Sequence, residues 1–194
     1  LGHFPCKLLI ATSNWLKMNH SATANEIIEV TQEELSRASL QKTPQEVLAV
    51  FVQPSYDLNP EVIKSSLCLA LDDVQDPGNL GTIIRLADWF GIEHIFCSTG
   101  TADVYNPKTV QATMGALARV KVHYCSLPQL IESLTDIPVY GTFLNGNIIY
   151  TESLSAHGLI VMGNEGKGVS LEVEKLINNK LYICLLYTSP SPRD

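Results

Sequence analysis

Residues 69–91, LALDDVQDPGNLGTIIRLADWFG, decide the fold that we predict for this chain. The stretch begins in a short apolar strand at residues 67–71 and ends in a helix predicted over residues 81–90. Apolar residues recur at helical spacing in that second part: Ile83, Ile84, Ala87 and Phe90. Between them, residues 76–79 (Asp-Pro-Gly-Asn) have the composition of a turn. A strand that enters a helix through a polar loop is a building unit of α/β sheets, and ligands often bind where such strands end.

Some polar residues of this loop indicate a function, whereas others are explained by turn geometry. Turn geometry alone accounts for Asp76, Pro77 and Gly78. Asn79 lies at the mouth of the loop, where its amide can both donate and accept hydrogen bonds. Arg85 stands about two turns up the helix, beside apolar positions, so its guanidinium must either extend to water or bind an anion. The sequence leaves both possibilities open.

The order D-x-V-x-D-P-x-N-x-G-x-x-x-R-x-A-x-x-F-G over residues 72–91 resembles the first motif of the SpoU-type RNA 2'-O-methyltransferases, which belong to the trefoil-knotted superfamily. The resemblance implies catalytic roles for Asn79 and Arg85. A guanidinium stays protonated at ordinary pH, so we expect Arg85 to hold a backbone phosphate and polarise the ribose hydroxyl. Asn79 would orient Arg85 or Glu165.

A second glycine-rich loop follows an apolar strand at residues 159–168, LIVMGNEGKG. Its glycine order is not the dinucleotide fingerprint, and Lys167 is followed by glycine rather than by the Ser or Thr of a P-loop. The segment resembles the second SpoU-type motif, in which the loop binds S-adenosylmethionine. The resemblance implies that Glu165 lies near the reacting ribose, as proton acceptor or ribose ligand. The cofactor-binding residues that it implies in this loop are Gly163, Asn164, Glu165, Gly166 and Gly168.

The third family motif is only partly present. Ile183 stands where the resemblance implies a cofactor contact, and Thr142, at the end of another predicted strand, is expected on the same side of the sheet. Cys184 replaces the expected proline. Residues 185–194, LLYTSPSPRD, lack the expected Ser-Leu-Asn and are too rich in proline for the last helix of the knot. We interpret that segment as a non-native tail.

Strands and helices alternate regularly from residue 66 onward, which predicts a parallel sheet with helices on both faces. With the resemblance, residues 61–184 are expected to form an α/β trefoil-knot methyltransferase domain. Residues 1–60 resemble the second half of a small α+β, ribosomal-protein-like substrate-binding domain with a linker, and we expect the first half to be missing. The predicted strands are residues 6–11, 47–52, 67–71, 94–97, 120–123, 139–142, 159–162 and 180–184. The predicted helices are residues 14–20, 81–90, 107–117, 128–134 and one from Ser170, whose hydroxyl should cap it.

Composition bounds the class of protein. The chain has 194 residues, of which 45% are apolar, enough for a folded core. No membrane-length apolar run or secretory signal is visible, so we expect a cytoplasmic protein without membrane contact. The five cysteines lack paired spacing and are interpreted as reduced thiols, with no metal site. His94, His123 and His157 are interpreted as structural residues.

The net charge of −7 argues against a protein that is basic all over and binds RNA through its whole surface. The expected partner is nevertheless RNA, ribosomal or transfer, if cations gather around one cleft. The candidates are Arg85, Lys108, Arg119, Lys121 and Lys167. The resemblance also implies a homodimer. Two alternatives stay open: a truncated RNA-binding module without cofactor or catalysis, and a nucleotide-dependent enzyme on an ordinary doubly wound sheet.

Overall fold

The structure, a computed structural model, describes residues 4–183 and divides into two compact units between Ser55 and Tyr56. The sequence placed this boundary five residues later, after residue 60. The expected tail at residues 185–194 and the substitution at Cys184 lie outside the described residues.

The first unit contains a three-stranded sheet in the order β2-β1-β3, with β1 parallel to β2 and antiparallel to β3. Its elements are β1 (Cys6–Ala11), α1 (Ser13–Met18), β2 (Glu26–Glu29), α2 (Gln32–Ala38) and β3 (Val47–Phe51). Sequence periodicity missed β2 and α2. A capping box could have revealed α2, because Thr31 and Glu34 bond reciprocally at its first turn.

The second unit is an α/β layer structure. Its six-stranded sheet has the order β6-β5-β4-β8-β7-β9, and every neighbouring pair is parallel. The strands are β4 (Leu67–Leu71), β5 (His94–Cys97), β6 (Lys121–Tyr124), β7 (Val139–Ile148), β8 (Gly158–Met162) and β9 (Asn179–Tyr182). The helices are α3 (Pro77–Trp89), α4 (Pro107–Ala112), α5 (Leu127–Glu132) and α6 (Leu171–Glu174).

Strand β4 shows why helices cover both faces of this sheet. Its successive side chains point to opposite sides, so Leu69 and Leu71 join a core beneath α3, whereas Cys68 and Ala70 join a second core beneath α5 and α6. All four residues are buried. A strand that is apolar at every position is typical of a parallel sheet with both faces covered, which confirms the predicted fold class.

The predicted start of α3 was wrong. The Asp-Pro-Gly-Asn segment is the first turn of the helix and not a separate turn, because Pro77 occupies the first helical position and Asp76 caps it. The Asp76 carboxylate accepts a hydrogen bond of 2.7 Å from the backbone N–H of Asn79. The helix is therefore four residues longer at its start, and Asn79 belongs to its first turn.

Several other boundaries also differ. Helix α4 ends at Ala112, because Met114 and Gly115 both adopt positive φ angles that a helix does not tolerate. Strand β7 continues past Thr142 to Ile148, with an irregularity at which both Thr142 and Asn147 pair with Leu181. Ser170 begins α6 as expected, but its hydroxyl makes no capping bond.

Candidate functional site

The two loops singled out in the sequence open at the same edge of the sheet. Strands β4 and β8 are parallel neighbours, with Leu71 aligned to Met162. The pairing extends one step further, since the N–H of Asp72 donates to the carbonyl of Met162 at 2.9 Å. The chain that leaves β4 for α3 and the chain that leaves β8 for α6 therefore begin side by side, as ligand-binding loops of parallel sheets do.

The first loop is fixed by Asp76. Besides capping α3, its carboxylate binds the Lys108 ammonium at 3.0 Å. The hydrogen bond from the backbone of Asn79, followed by the bond and charge of Lys108, lowers the pKa of Asp76 below its usual value. A carboxylate that stays ionised keeps the start of α3, and with it Asn79, in place.

The second loop closes on itself around Asn164. The side-chain oxygen of Asn164 accepts hydrogen bonds from the backbone N–H groups of Gly166 and Lys167, at 2.9 and 3.0 Å. The backbones of Asn164 and Gly168 also exchange two hydrogen bonds. Gly163 allows this closure, because a Cβ there would lie 2.2 Å from the Gly168 carbonyl carbon. The side chain and the backbone of Asn164 thus hold the loop closed.

The two loops meet through Asn79 and Glu165. The side-chain amide of Asn79 donates to the Glu165 carboxylate at 3.1 Å, although the residues are 86 positions apart. A cavity of about 590 Å³ lies at this junction. The residues that line it come from both loops: Val74, Gln75, Asp76, Asn79, Thr82, Ile83, Met162, Gly163, Asn164, Glu165 and Gly166. The cavity thus joins apolar walls to a small set of polar groups, as ligand sites do.

Four of the site residues predicted from sequence do not line this cavity. Arg85 lies on the exposed side of α3, beyond Thr82, and no hydrogen bond or ion pair joins it to another residue of the described range 4–183. Thr142 lies on β7 and pairs with Leu181 of β9, and Ile183 directly follows β9 and is half exposed. Gly168 closes the second loop without lining the cavity. The structure therefore groups Asn79 with Gly163, Asn164, Glu165 and Gly166.

Most of the candidate RNA-binding cations have carboxylate partners. Lys108 pairs with Asp76, Arg119 binds Asp88 through two nitrogens, and Lys167 lies 3.8 Å from Asp73. Arg119 also lowers the pKa of Asp88 by its hydrogen bonds and charge. These pairs leave little uncompensated positive charge near the cavity.

Neither a metal cluster nor a membrane span is found in the described residues. In the range 4–183 no three His, Cys, Asp or Glu side chains are grouped so as to hold a metal ion. Within the same range no helix has both the length and the apolar character to cross a bilayer.

Sequence reasoning missed Asp72 and Asp73, which connect the two loops. Asp72 is buried, and its carboxylate accepts a 2.7 Å hydrogen bond from the N–H of Ser170. The carbonyl of Asp73 accepts a 2.8 Å hydrogen bond from the Asn164 side chain. The available signal was an acidic pair directly after a buried strand, where a charge is costly without partners.

Comparison with known proteins identifies the family. The model of the SpoU rRNA methylase family matches residues 66–191, more than half of the chain. The chain is 33% identical over 159 residues to the 23S rRNA (guanosine(2553)-2'-O)-methyltransferase RlmP of Bacillus subtilis, covering 80% of this chain and 62% of that protein. The chain therefore belongs to the SpoU rRNA methylase family. It spans about three fifths of the length of RlmP.

Solved structures agree with this assignment. A protein of the TrmH family of RNA methyltransferases from Porphyromonas gingivalis superposes with a TM-score of 0.82 at 38% identity, over 97% of this chain and 76% of that one. The SpoU methyltransferase AviRb from Streptomyces viridochromogenes, in complex with AdoMet, gives a TM-score of 0.81 at 25% identity, over 98% of this chain and 78% of AviRb. The resemblance found in the sequence motifs is thus confirmed by fold and family.

Proposed function

We propose that this chain is an RNA 2'-O-methyltransferase that uses S-adenosylmethionine to methylate a ribose hydroxyl of ribosomal or transfer RNA. The observation that carries the proposal is the hydrogen bond between Asn79 and Glu165, which joins the first and second SpoU-type motifs across one cavity. RlmP of Bacillus subtilis and the 23S rRNA (uridine(2479)-2'-O)-methyltransferase of Streptomyces viridochromogenes, both similar to this chain, support it.

The cavity suits S-adenosylmethionine, which supplies an activated methyl group when bound. Its volume of about 590 Å³ lies within the usual range for small-ligand sites. A Cβ at Gly166 would meet only the side-chain oxygen of Asn164, at 3.6 Å, and one at Gly168 would meet nothing within 4 Å, so a ligand can approach the loop backbone. We propose that Gly163, Asn164, Glu165, Gly166 and Gly168 hold the cofactor. Thr142 and Ile183 are proposed to contact it from β7 and from the end of β9.

The polar groups at the junction can provide the remaining chemistry. Glu165 is proposed to bind the ribose or to accept the proton of its 2'-hydroxyl, and Asn79 holds that carboxylate in position. Arg85 is proposed to bind a backbone phosphate and to polarise the hydroxyl, a role that suits a guanidinium with no carboxylate partner among the described residues.

We propose a homodimer, because α3 exposes large apolar side chains that a monomer would leave in water. Trp89 is 83% exposed, Phe90 74% and Leu86 50%. Arg85 lies on the same helix, four residues before Trp89, so an interface on this surface would bring Arg85 close to the partner subunit. The trefoil knot stays a prediction, since the segment expected to close it lies beyond residue 183.

The role of the first unit and the location of the protein are further parts of the proposal. Residues 1–60 are proposed to form part of an RNA substrate-binding domain, supported by the structural match to AviRb, which covers 98% of this chain. A cytoplasmic location is proposed because RlmP of Bacillus subtilis is named for 23S rRNA.

Methyl transfer to RNA tests the proposed function. The chain is incubated with tritiated S-adenosylmethionine and transcripts of 23S rRNA or tRNA. The label in the RNA is counted, and the methylated ribose is then mapped. We expect Arg85→Ala to lower turnover at least a hundredfold while cofactor binding by calorimetry persists. Glu165→Gln should also lose turnover, whereas Glu172→Gln, an exposed carboxylate on α6, should match the unchanged chain.

Three results would count against parts of the proposed function. Unchanged turnover in Arg85→Ala would remove that residue from the catalytic set. A parent chain that retains RNA but shows no affinity for S-adenosylmethionine would contradict the enzyme proposal and support the RNA-binding module. Release of a bound ligand by NAD or ATP would support the nucleotide-dependent enzyme instead.

A further inference from the structure

Asp72 is a buried carboxylate that the proposed chemistry does not use. It ends β4, and only 6% of its surface is exposed. Its Oδ2 atom accepts a hydrogen bond of 2.7 Å from the backbone N–H of Ser170, which is 98 residues away at the start of α6. A buried carboxylate is stable only with such partners, and its hydrogen bonds are stronger than those between neutral groups.

Asp73, the next residue, holds the other end of the same loop. Its carbonyl accepts the hydrogen bond from the side chain of Asn164, and its N–H donates to the Ser98 hydroxyl at 2.9 Å. Asp73 has a φ angle of +58°, which is unusual for a residue other than glycine. Backbone held in this region needs support from its surroundings and is concentrated at functional sites.

These bonds attach the glycine-rich loop to the end of β4 at two points. Asn164 at the loop's start is bound to Asp73, and Ser170 at its end is bound to Asp72. Between them, the bonds of Asn164 to the Gly166, Lys167 and Gly168 backbones keep the loop closed. Two consecutive residues that follow β4 thus hold Asn164 near the start of the second loop and Ser170 at its end.

We propose that Asp72 is a positioning residue that holds the loop at residues 163–170 in its ligand-binding conformation through the Ser170 N–H. The role requires a hydrogen-bond acceptor at this place rather than a negative charge as such. The consequence for cofactor affinity rests on the proposed function, but the effect on the loop itself does not.

Hydrogen–deuterium exchange of the ligand-free chain tests the loop directly. In Asp72→Ala we expect exchange in peptides covering residues 163–170 to accelerate about tenfold, because one anchor is lost. Asp72→Asn retains an acceptor oxygen and should restore exchange to within about twofold of the parent. Asp88→Ala is the matched control, since it removes a carboxylate on α3 that binds Arg119 and makes no bond to the loop.

Titration with S-adenosylmethionine then tests the functional consequence. We expect the dissociation constant to rise about tenfold in Asp72→Ala, with rescue in Asp72→Asn and with turnover at saturating cofactor nearly unchanged. Loss of stability alone would not give this separation between affinity and turnover. If the parent chain binds no cofactor, the proposed function fails, while the exchange result still decides the role of Asp72.

A variant at the donor of the same bond protects the test against misfolding. Should Asp72→Ala fail to fold, Ser170→Pro removes the N–H that binds Asp72 at a φ angle of −63°, which proline adopts, and loop exchange should again accelerate. Loop exchange equal to that of the parent in folded Asp72→Ala, or in Ser170→Pro when Asp72→Ala does not fold, would overturn the proposal. Equal acceleration in Asp72→Ala and Asp72→Asn would also overturn it, because the acceptor would then not be what matters.

Discussion

Single residues in the second unit derive their properties from neighbours that are distant in the chain. His94 of β5 and His123 of β6 lie on neighbouring strands. Their rings stack with centroids 5.3 Å apart, and Nδ1 of His94 lies 3.1 Å from Nε2 of His123. A hydrogen bond between two imidazole nitrogens needs at least one neutral ring. The sequence interpretation as structural histidines did not include this pair.

The histidine pair makes stability depend on pH. Burial, then the charges of His94 and Lys121, lower the pKa of His123 to about 4, and burial also lowers that of His94. Because the folded value lies below the unfolded value of about 6.5, the contribution is complete above pH 6.5 and is lost as the pH falls toward 4. Lys121 and Glu93 are the charged groups nearby, with opposing effects on His94.

We therefore predict that the free energy of unfolding, measured with urea, decreases by up to about 3 kcal/mol between pH 7 and pH 4 through this pair. His123→Gln should reduce that decrease, because the group that resists protonation is gone. His157→Gln, at an exposed histidine, should keep the pH dependence of the parent. Parallel curves for the parent and His123→Gln would show that the pair does not control acid stability.

At the scale of elements, α3 serves three purposes. Its inner face carries Leu80, Ile84 and Ala87, all buried against the sheet. Gly81 lies on the side that meets α4, where a Cβ would come within 2.7 Å of the Thr109 carbonyl. Its first turn places Asn79 at the cavity, and its last turn exposes Trp89. One amphipathic helix thus links the core, the site and an apolar surface.

The apolar surface of α3 gives a prediction about assembly. Trp89→Glu should convert a dimer to a monomer in analytical ultracentrifugation, because a buried, unpaired carboxylate opposes association. Leu40→Glu, which changes an apolar side chain that is 88% exposed in the first unit, is the control and should stay dimeric. A parent chain that sediments as a monomer at all concentrations would contradict the proposed homodimer.

At the scale of the whole molecule, charge limits how the proposed RNA substrate could be bound. The net charge is −7, and Lys108, Arg119 and Lys167 lie beside carboxylates. These pairs reduce the number of cations that are free to replace counterions on phosphates. The proposed binding of RNA would then rely more on shape and local contacts than on a broad positive surface.

This charge distribution predicts a weak salt dependence. A fluorescent RNA hairpin titrated by anisotropy at several KCl concentrations should give a slope of log affinity against log salt of about −1 to −3, as expected for a few phosphate contacts. Arg85→Ala should make the slope less negative by about one phosphate contact, whereas Lys64→Ala, at a lysine paired with Glu61, should not. A slope steeper than about −5 would reveal a basic surface that the described residues do not form.

Local sequence patterns determined the α/β class, most strand positions and the two loops of the site. They succeed because apolar periodicity and glycine-rich loops depend on neighbouring residues. The same reasoning placed the start of α3 too late, since proline and asparagine are common both in turns and in first helical turns. It also missed β2, a four-residue strand with every side chain exposed and thus no buried alternation to detect.

Only the tertiary structure decided which distant residues meet. Strand β4 pairs with β8 as well as with β5, the strand that follows it in the chain. This strand order brings Asn79 to Glu165 and Asp72 to Ser170. No local pattern encodes strand order, because it depends on the packing of whole helices against both faces of the sheet. For the same reason the sequence could name Arg85 as catalytic but could not place it, whereas the fold leaves it exposed on α3.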